Sequence, residues 1–129
     1  MPRYVLVVDD DPDIRHILRE RLESYGYLVE TAADGPAAIE KLEHLTYSGI
    51  FLDIRMPGMD GIQVLARIRT RSLTIPVVIV TAAGTTELAN VSVQAGAQAC
   101  LFKPFDQAQI KHVVEQWSGR PLLDQEIRV

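Results

Sequence analysis

The chain has one cysteine among its 129 residues, Cys100, so no disulfide framework can hold it together. That count suits a reducing cytoplasm better than an oxidising compartment. No apolar run approaches the ~20 residues needed to span a bilayer. The amino end is expected to carry no signal peptide, because a short apolar run follows Arg3 directly and ends in acid at Asp9. There is no excess of positive charge either. Lysine and arginine number 13 against 17 aspartates and glutamates, for a formal net charge of −4. That balance leaves no electrostatic footprint for nucleic acid. Repeats and low-complexity segments are absent, and the length fits a single domain of about 100–150 residues.

What is present is an alternation of short apolar runs with amphipathic segments. A first strand is expected over residues 3–8. A helix follows from Pro12, capped by Asp10 or Asp11, with Ile14, Ile17, Leu18 and Leu22 on one face and Gly26 as its stop. Residues 27–32 form a shorter, more polar strand suited to a sheet edge. Asp34-Gly35-Pro36 opens a second helix carrying Ile39, Leu42 and Leu45, and Ser48-Gly49 ends that unit. The run Ile50-Phe51-Leu52 leads into Asp53 and a Pro57-Gly58 breaker, and reads as a buried strand. Asp60 caps a third helix with Ile62, Leu65 and Ile68, followed by a loop over 70–74. Pro76 enters a fourth strand. A fourth helix is expected over 85–95, with Leu88, Val91 and Ala95 inward, closed by Gly96. The fifth strand spans 97–102 and the last helix 105–117, with Ile110, Val113, Val114 and Trp117 apolar.

Five strand–helix units with right-handed crossovers give a doubly wound α/β fold with a parallel sheet covered on both faces. In such a sheet, chemistry collects beyond the carboxyl ends of the strands. Those ends are Asp9-Asp10, Asp53, Thr81 and Lys103-Pro104. Taken singly each has a bland reading: an aspartate pair caps a helix, a threonine ends a strand, Lys-Pro starts a helix. Together they bring three carboxylates, a hydroxyl and an ammonium to one edge.

Four separated motifs in this order carry a resemblance: Val-Val-Asp-Asp, Leu-Asp-Ile-Arg-Met-Pro-Gly-Met-Asp-Gly, Val-Thr-Ala and Lys-Pro-Phe. Over about residues 3–117 the chain resembles a response-regulator receiver domain, the phosphorylatable half of a two-component signalling pair. The resemblance implies a flavodoxin-like (βα)5 fold of strand order 2-1-3-4-5. A receiver domain over 1–119 and a tail or linker stub over 120–129 are expected. It implies that Asp53 is the phosphoacceptor. Asp10 and Asp53, joined by the Arg55 backbone carbonyl, would contact Mg²⁺, with Asp9 acting through water or orientation and Mn²⁺ as a substitute. Thr81, the Ala82 amide and Lys103 would meet the phosphoryl oxygens, and Lys103-Pro104 would be a cis peptide. Gly58 and Gly61 would shape the loop beside the metal. The implied donor is a phosphohistidine on a sensor histidine kinase or phosphotransfer protein, and the implied activity is confined to phosphorylating and dephosphorylating the chain's own aspartate.

Elementary electrostatics supports a cation at this edge. Two unit charges 4 Å apart repel by about 4 kcal/mol at an effective dielectric of 20, and Lys103 offsets only one of three carboxylates. An oxygen-lined site with waters and a phosphate suits Mg²⁺. Cys100 stands where many receivers carry an aromatic switch residue. The signal is therefore expected to travel through the loop after Thr81 to the face formed by the fourth helix, fifth strand and last helix. That face would serve a second copy or a downstream protein, with no nucleic-acid or membrane contact. The positions two beyond Asp53 and two beyond Thr81, Arg55 and Ala83, would tune phosphate lifetime. His16, His44 and His112 read as surface residues, Arg67-Arg69-Arg71 as a solvated face, and Cys100 as a small filler.

The rival readings are a pseudo-receiver acting without phosphate, a haloacid-dehalogenase-type phosphatase and a flavodoxin-like nucleotide binder. The full Asp/Asp/Asp/Thr/Lys set argues against the first. Arg55 stands where the second aspartate of the phosphatase motif would fall, and Asp13 replaces its threonine in the Asp9–Asp11 register. The first strand–helix turn has no glycine-rich phosphate loop.

Overall fold

The computed structural model describes residues 3–54, 61–71, 74–82 and 96–117. Its elements alternate as β1 (Tyr4–Val8), α1 (Pro12–Ser24), β2 (Leu28–Ala32), α2 (Gly35–His44), β3 (Gly49–Asp53), α3 (Gly61–Arg71), β4 (Val77–Thr81), β5 (Ala99–Phe102) and α4 (Gln107–Glu115). All strand pairs are parallel and the order is β2-β1-β3-β4-β5, the doubly wound arrangement the motifs imply.

Helix starts follow from side chains that satisfy backbone N–H groups left over at the first turn. Asp11 accepts from the Asp13 amide at 2.9 Å, with Pro12 in the first turn. Asp34 accepts from the Ala37 amide at 2.8 Å. Asp106 and Gln109 form a reciprocal capping box, at 2.8 and 2.9 Å. Of the two aspartates that could cap α1, Asp11 does so, and Asp10 stays out of the cap.

Strand alternation sorts the core into two layers. Leu6, Val8, Ile50, Leu52, Val77 and Ile79 face Ala38 of α2 and Val64, Leu65 and Ile68 of α3. Val5, Val7, Phe51, Val78, Val80 and Leu101 face Leu18 and Leu22 of α1 and Ile110, Val113 and Val114 of α4. With both faces covered, β3 and β4 are buried throughout, which is why their sequences read as unbroken apolar runs.

Trp117 closes the second layer. Its ring packs edge-on to Tyr27 and tilted to Phe51, with centroids 5.7 and 5.8 Å away. The indole occupies the space where a Cβ on Gly49 would stand, so β3 can begin there only with glycine. Trp117 Nε1 donates to Gln98 Oε1 at 2.8 Å.

Several expected boundaries shift. Gly49 belongs to β3 rather than to the preceding loop, α3 runs on to Arg71, and α4 is shorter than residues 105–117. The arginine cluster is not one solvated face. Arg67 and Arg71 are exposed, but Arg69 is partly buried and donates to the carbonyls of Ile75 (2.8 Å) and Gly96 (2.6 Å). Burial lowers its pKa from the ordinary arginine value. The expected helix over 85–95, Asp60, Gly58, Ala83 and the division at 119/120 lie outside the described residues.

Candidate functional site

The same alternation that builds the core aims the site. Asp9, Asp53 and Lys103 each stand two residues beyond Val7, Phe51 and Leu101, which share one face of the sheet. Val7 pairs with Phe51 in register, so Asp9 and Asp53 emerge side by side at the carboxyl edge. The Lys103 amide donates to the Thr81 carbonyl at 2.8 Å, carrying the β4–β5 ladder one step further. The Lys103–Pro104 peptide is cis, as the resemblance implied.

Lys103 Nζ lies 2.9 Å from Asp9 Oδ2 and 3.6 Å from Asp53 Oδ2. Both aspartates are buried and the lysine side chain is only 17% exposed. Burial by itself would lower the Lys103 pKa, but the short contact to Asp9 and the charges of Asp9 and Asp53 outweigh it and raise the value above that of an ordinary lysine. Asp9 Oδ2 has no aligned hydrogen bond despite this short approach, so the contact is an ion pair with poor angular geometry. Asp9 Oδ1 accepts from the Asp11 amide at 2.9 Å.

Asp10 is exposed at the rim. One carboxylate oxygen from each of Asp9, Asp10 and Asp53 can be chosen so that all three lie within 4.8 Å of one another. This cluster of hard oxygen donors, one of them buried without an aligned hydrogen bond, fits a divalent cation such as Mg²⁺. Thr81 is fully buried at the end of β4, and Ala82 is exposed just beyond it. The Arg55 carbonyl lies outside the described residues.

Gly61 lets α3 start against the site. Its amide donates to the Ile54 carbonyl at 2.7 Å, and a Cβ there would run into the Asp53 carbonyl oxygen and the Ile54 Cα. The three histidines sit elsewhere, exposed on α1, α2 and α4. His16 faces Glu20 at 3.0 Å. Cys100 is partly buried in β5 against the α2–α3 layer, and burial raises its thiol pKa. Pattern reading missed Arg15, whose Nη1 donates to the Asp9 carbonyl at 2.7 Å.

A doubly wound domain that gathers three acids, a threonine and a lysine at the carboxyl edge of its sheet defines the class. The chain belongs to the family described as response regulator receiver domain, whose model matches residues 5–115. It is 37% identical over 116 residues to the sensor histidine kinase RcsC of Salmonella typhi, covering 90% of this chain and 12% of that protein. The chain therefore spans a small part of the kinase's length. A response regulator receiver domain protein (CheY-like) from Methanospirillum hungatei JF-1 superposes with a TM-score of 0.84 at 27% identity, over 100% of both chains. The receiver domain of sensor histidine kinase PA1611 from Pseudomonas aeruginosa PAO1, solved with a magnesium ion coordinated in its active site cleft, superposes at 0.81 with 29% identity. That match covers 91% of this chain and 98% of the other.

Proposed function

We propose that this receiver takes a phosphoryl group onto Asp53 from a phosphohistidine on a sensor histidine kinase or phosphotransfer protein. The observation that carries the reading is the convergence of Asp9, Asp10 and Asp53 around one point, with Lys103 within 3.6 Å of Asp53. An Asp53 carboxylate oxygen attacks phosphorus, the bond to the donor nitrogen breaks, and an acyl phosphate results. Such transfer depends on positioning and charge neutralisation rather than on acid–base chemistry. Lys103 neutralises one phosphoryl oxygen, while the Thr81 hydroxyl and the Ala82 amide donate to others. When bound, Mg²⁺, or Mn²⁺ in its place, would be held by Asp10 and Asp53, with the Arg55 carbonyl as the resemblance implies and Asp9 acting through water or orientation, and would supply further positive charge at the phosphoryl group. Hydrolysis of the same bond by water returns Asp53 to its resting state.

The added phosphoryl group carries about −1.5 to −2 charge. It draws Thr81 and the segment after it toward Asp53, and the change reaches the face formed by the expected helix over 85–95, β5 and α4. A second copy of the chain or a downstream protein reads that face in the cytoplasm. Residues 1–119 are taken as the working domain, with 120–129 a tail or linker stub.

The test is incubation with acetyl phosphate and Mg²⁺ followed by intact mass. The expected result is a gain of one phosphoryl group that hydroxylamine removes and that Asp53→Asn abolishes. An unchanged mass, or a gain that survives Asp53→Asn, overturns the assignment.

A further inference from the structure

We propose that Arg15 is a positioning residue of the acidic site, acting on Asp10 through the peptide that joins Asp9 to Asp10. This rests on the metal-binding part of the reading above. Three polar atoms of Asp9 are hydrogen-bonded: its amide donates to the Ala32 carbonyl (3.1 Å), Oδ1 accepts from the Asp11 amide (2.9 Å), and its carbonyl accepts from Arg15 Nη1 (2.7 Å), while Oδ2 makes only the ion pair with Lys103 (2.9 Å). Asp10 has no such support. Its side chain is exposed and makes no hydrogen bond or ion pair with any described residue.

The direction of the Asp10 side chain is therefore set by its backbone. A peptide unit is planar, so fixing the Asp9 carbonyl also fixes the plane in which the Asp10 amide lies. Arg15 is the side chain that fixes it, reaching back from the first turn of α1 to the strand end. Its partner is a neutral carbonyl, that of one of the three clustered acids. Geometry and charge then make opposite demands. As a cation beside an acidic cluster, Arg15 repels a metal ion, and removing it would tighten metal binding. As the support of the Asp9–Asp10 peptide, it keeps Asp10 where its oxygen meets those of Asp9 and Asp53, and removing it would weaken binding. Groups that orient metal ligands typically contribute 10–100-fold to affinity, so the positioning effect is expected to win.

The experiment is Mn²⁺ titration followed by the free-ion electron paramagnetic resonance signal, at fixed pH and ionic strength. It compares wild type, Asp10→Asn, Arg15→Ala and Arg15→Lys, each shown to be folded by circular dichroism. Arg15→Met, which keeps the length without the donor, stands in if the alanine variant does not fold. Arg15→Ala is expected to weaken Mn²⁺ binding by about tenfold, and Arg15→Lys, which keeps the charge and one donor group, to recover part of that loss. Unchanged or tighter binding in a folded Arg15→Ala or Arg15→Met protein overturns the proposal, because bulk stability or charge would then be all that Arg15 provides. If wild type takes up no Mn²⁺, or Asp10→Asn does not weaken uptake, the metal site itself is wrong and the Arg15 role fails with it.

Discussion

Lys103 stands closer to Asp9, at 2.9 Å, than to Asp53, at 3.6 Å. The lysine thus neutralises an acid that Asp53 chemistry does not consume, and it remains in reach of a group placed on Asp53. Lys103→Met removes the cation that faces both buried carboxylates. Breaking a buried pair from one side costs about 3 kcal/mol or more. Urea unfolding in EDTA should show a loss of that size. Added Mg²⁺ should then restore more stability to the variant than it adds to wild type, since the cluster has become more negative. An equal Mg²⁺ increment in both proteins would mean that the ion does not share the Lys103 site.

Gly61 is tested by adding one methyl group. Helix propensity alone predicts that Gly61→Ala stabilises α3 by up to about 1 kcal/mol. The Cβ, however, would run into the Asp53 carbonyl oxygen and the Ile54 Cα, both backbone atoms that cannot swing aside. Overpacking of this kind costs roughly 1–3 kcal/mol. Net destabilisation in chemical denaturation is expected, together with slower acetyl-phosphate labelling because the Asp53 backbone must shift. A stabilised variant would show that α3 can move off without cost.

The three arginines on α3 should separate in a parallel substitution series. Arg69→Ala removes donors from the Ile75 and Gly96 carbonyls. Hydrogen bonds from a charged group contribute about 1.5–3 kcal/mol, so a loss near 2 kcal/mol is expected. Arg71 makes an exposed ion pair with Glu43 at 3.1 Å, a type worth about 0–1 kcal/mol. Arg67→Ala should stay within about 0.5 kcal/mol of wild type, as surface changes usually do. Thermal unfolding of the three variants under one buffer gives the ranking, and equal shifts would contradict it.

That ranking marks where the sequence was legible and where it was not. Asp9, Asp53 and Lys103 could be placed because each ends an apolar run, and a period of two then puts them on one face. Gly49 and Trp117 were not linked by any pattern, since their contact joins the start of β3 to a residue just past the end of α4. Arg69 was grouped with its neighbours although residues two apart on a helix do not face each other, and that offset was readable. Arg15 was not readable at all. Its partner is a backbone carbonyl, which every residue type supplies, so no pairing of side-chain types points to it. Either Asp10 or Asp11 satisfied the capping rule, and only the turn after β1 decided between them.

Tyr47 gives the clearest pH signature. The residue is 3% exposed, and its hydroxyl is buried with no hydrogen-bond partner among the described residues. Burial first, then the nearby charge of Glu30 and a smaller contribution from Tyr4, push its pKa up to about 12. The phenol is therefore neutral in the folded protein at pH values where it ionises in the unfolded chain, from about pH 10 upward. A group whose folded pKa is raised contributes stability that is fully present below its unfolded pKa and is lost as pH rises through the folded value. Between about pH 10 and 12 this single group should remove roughly 2–3 kcal/mol. Tyr47→Phe removes the titration and also an unpaired buried hydroxyl, a change that is near neutral or stabilising at pH 7. Urea midpoints for wild type and variant should coincide, or favour the variant slightly, up to about pH 9.5, then diverge in the variant's favour. Parallel curves through pH 12 would mean that the Tyr47 phenol reaches solvent.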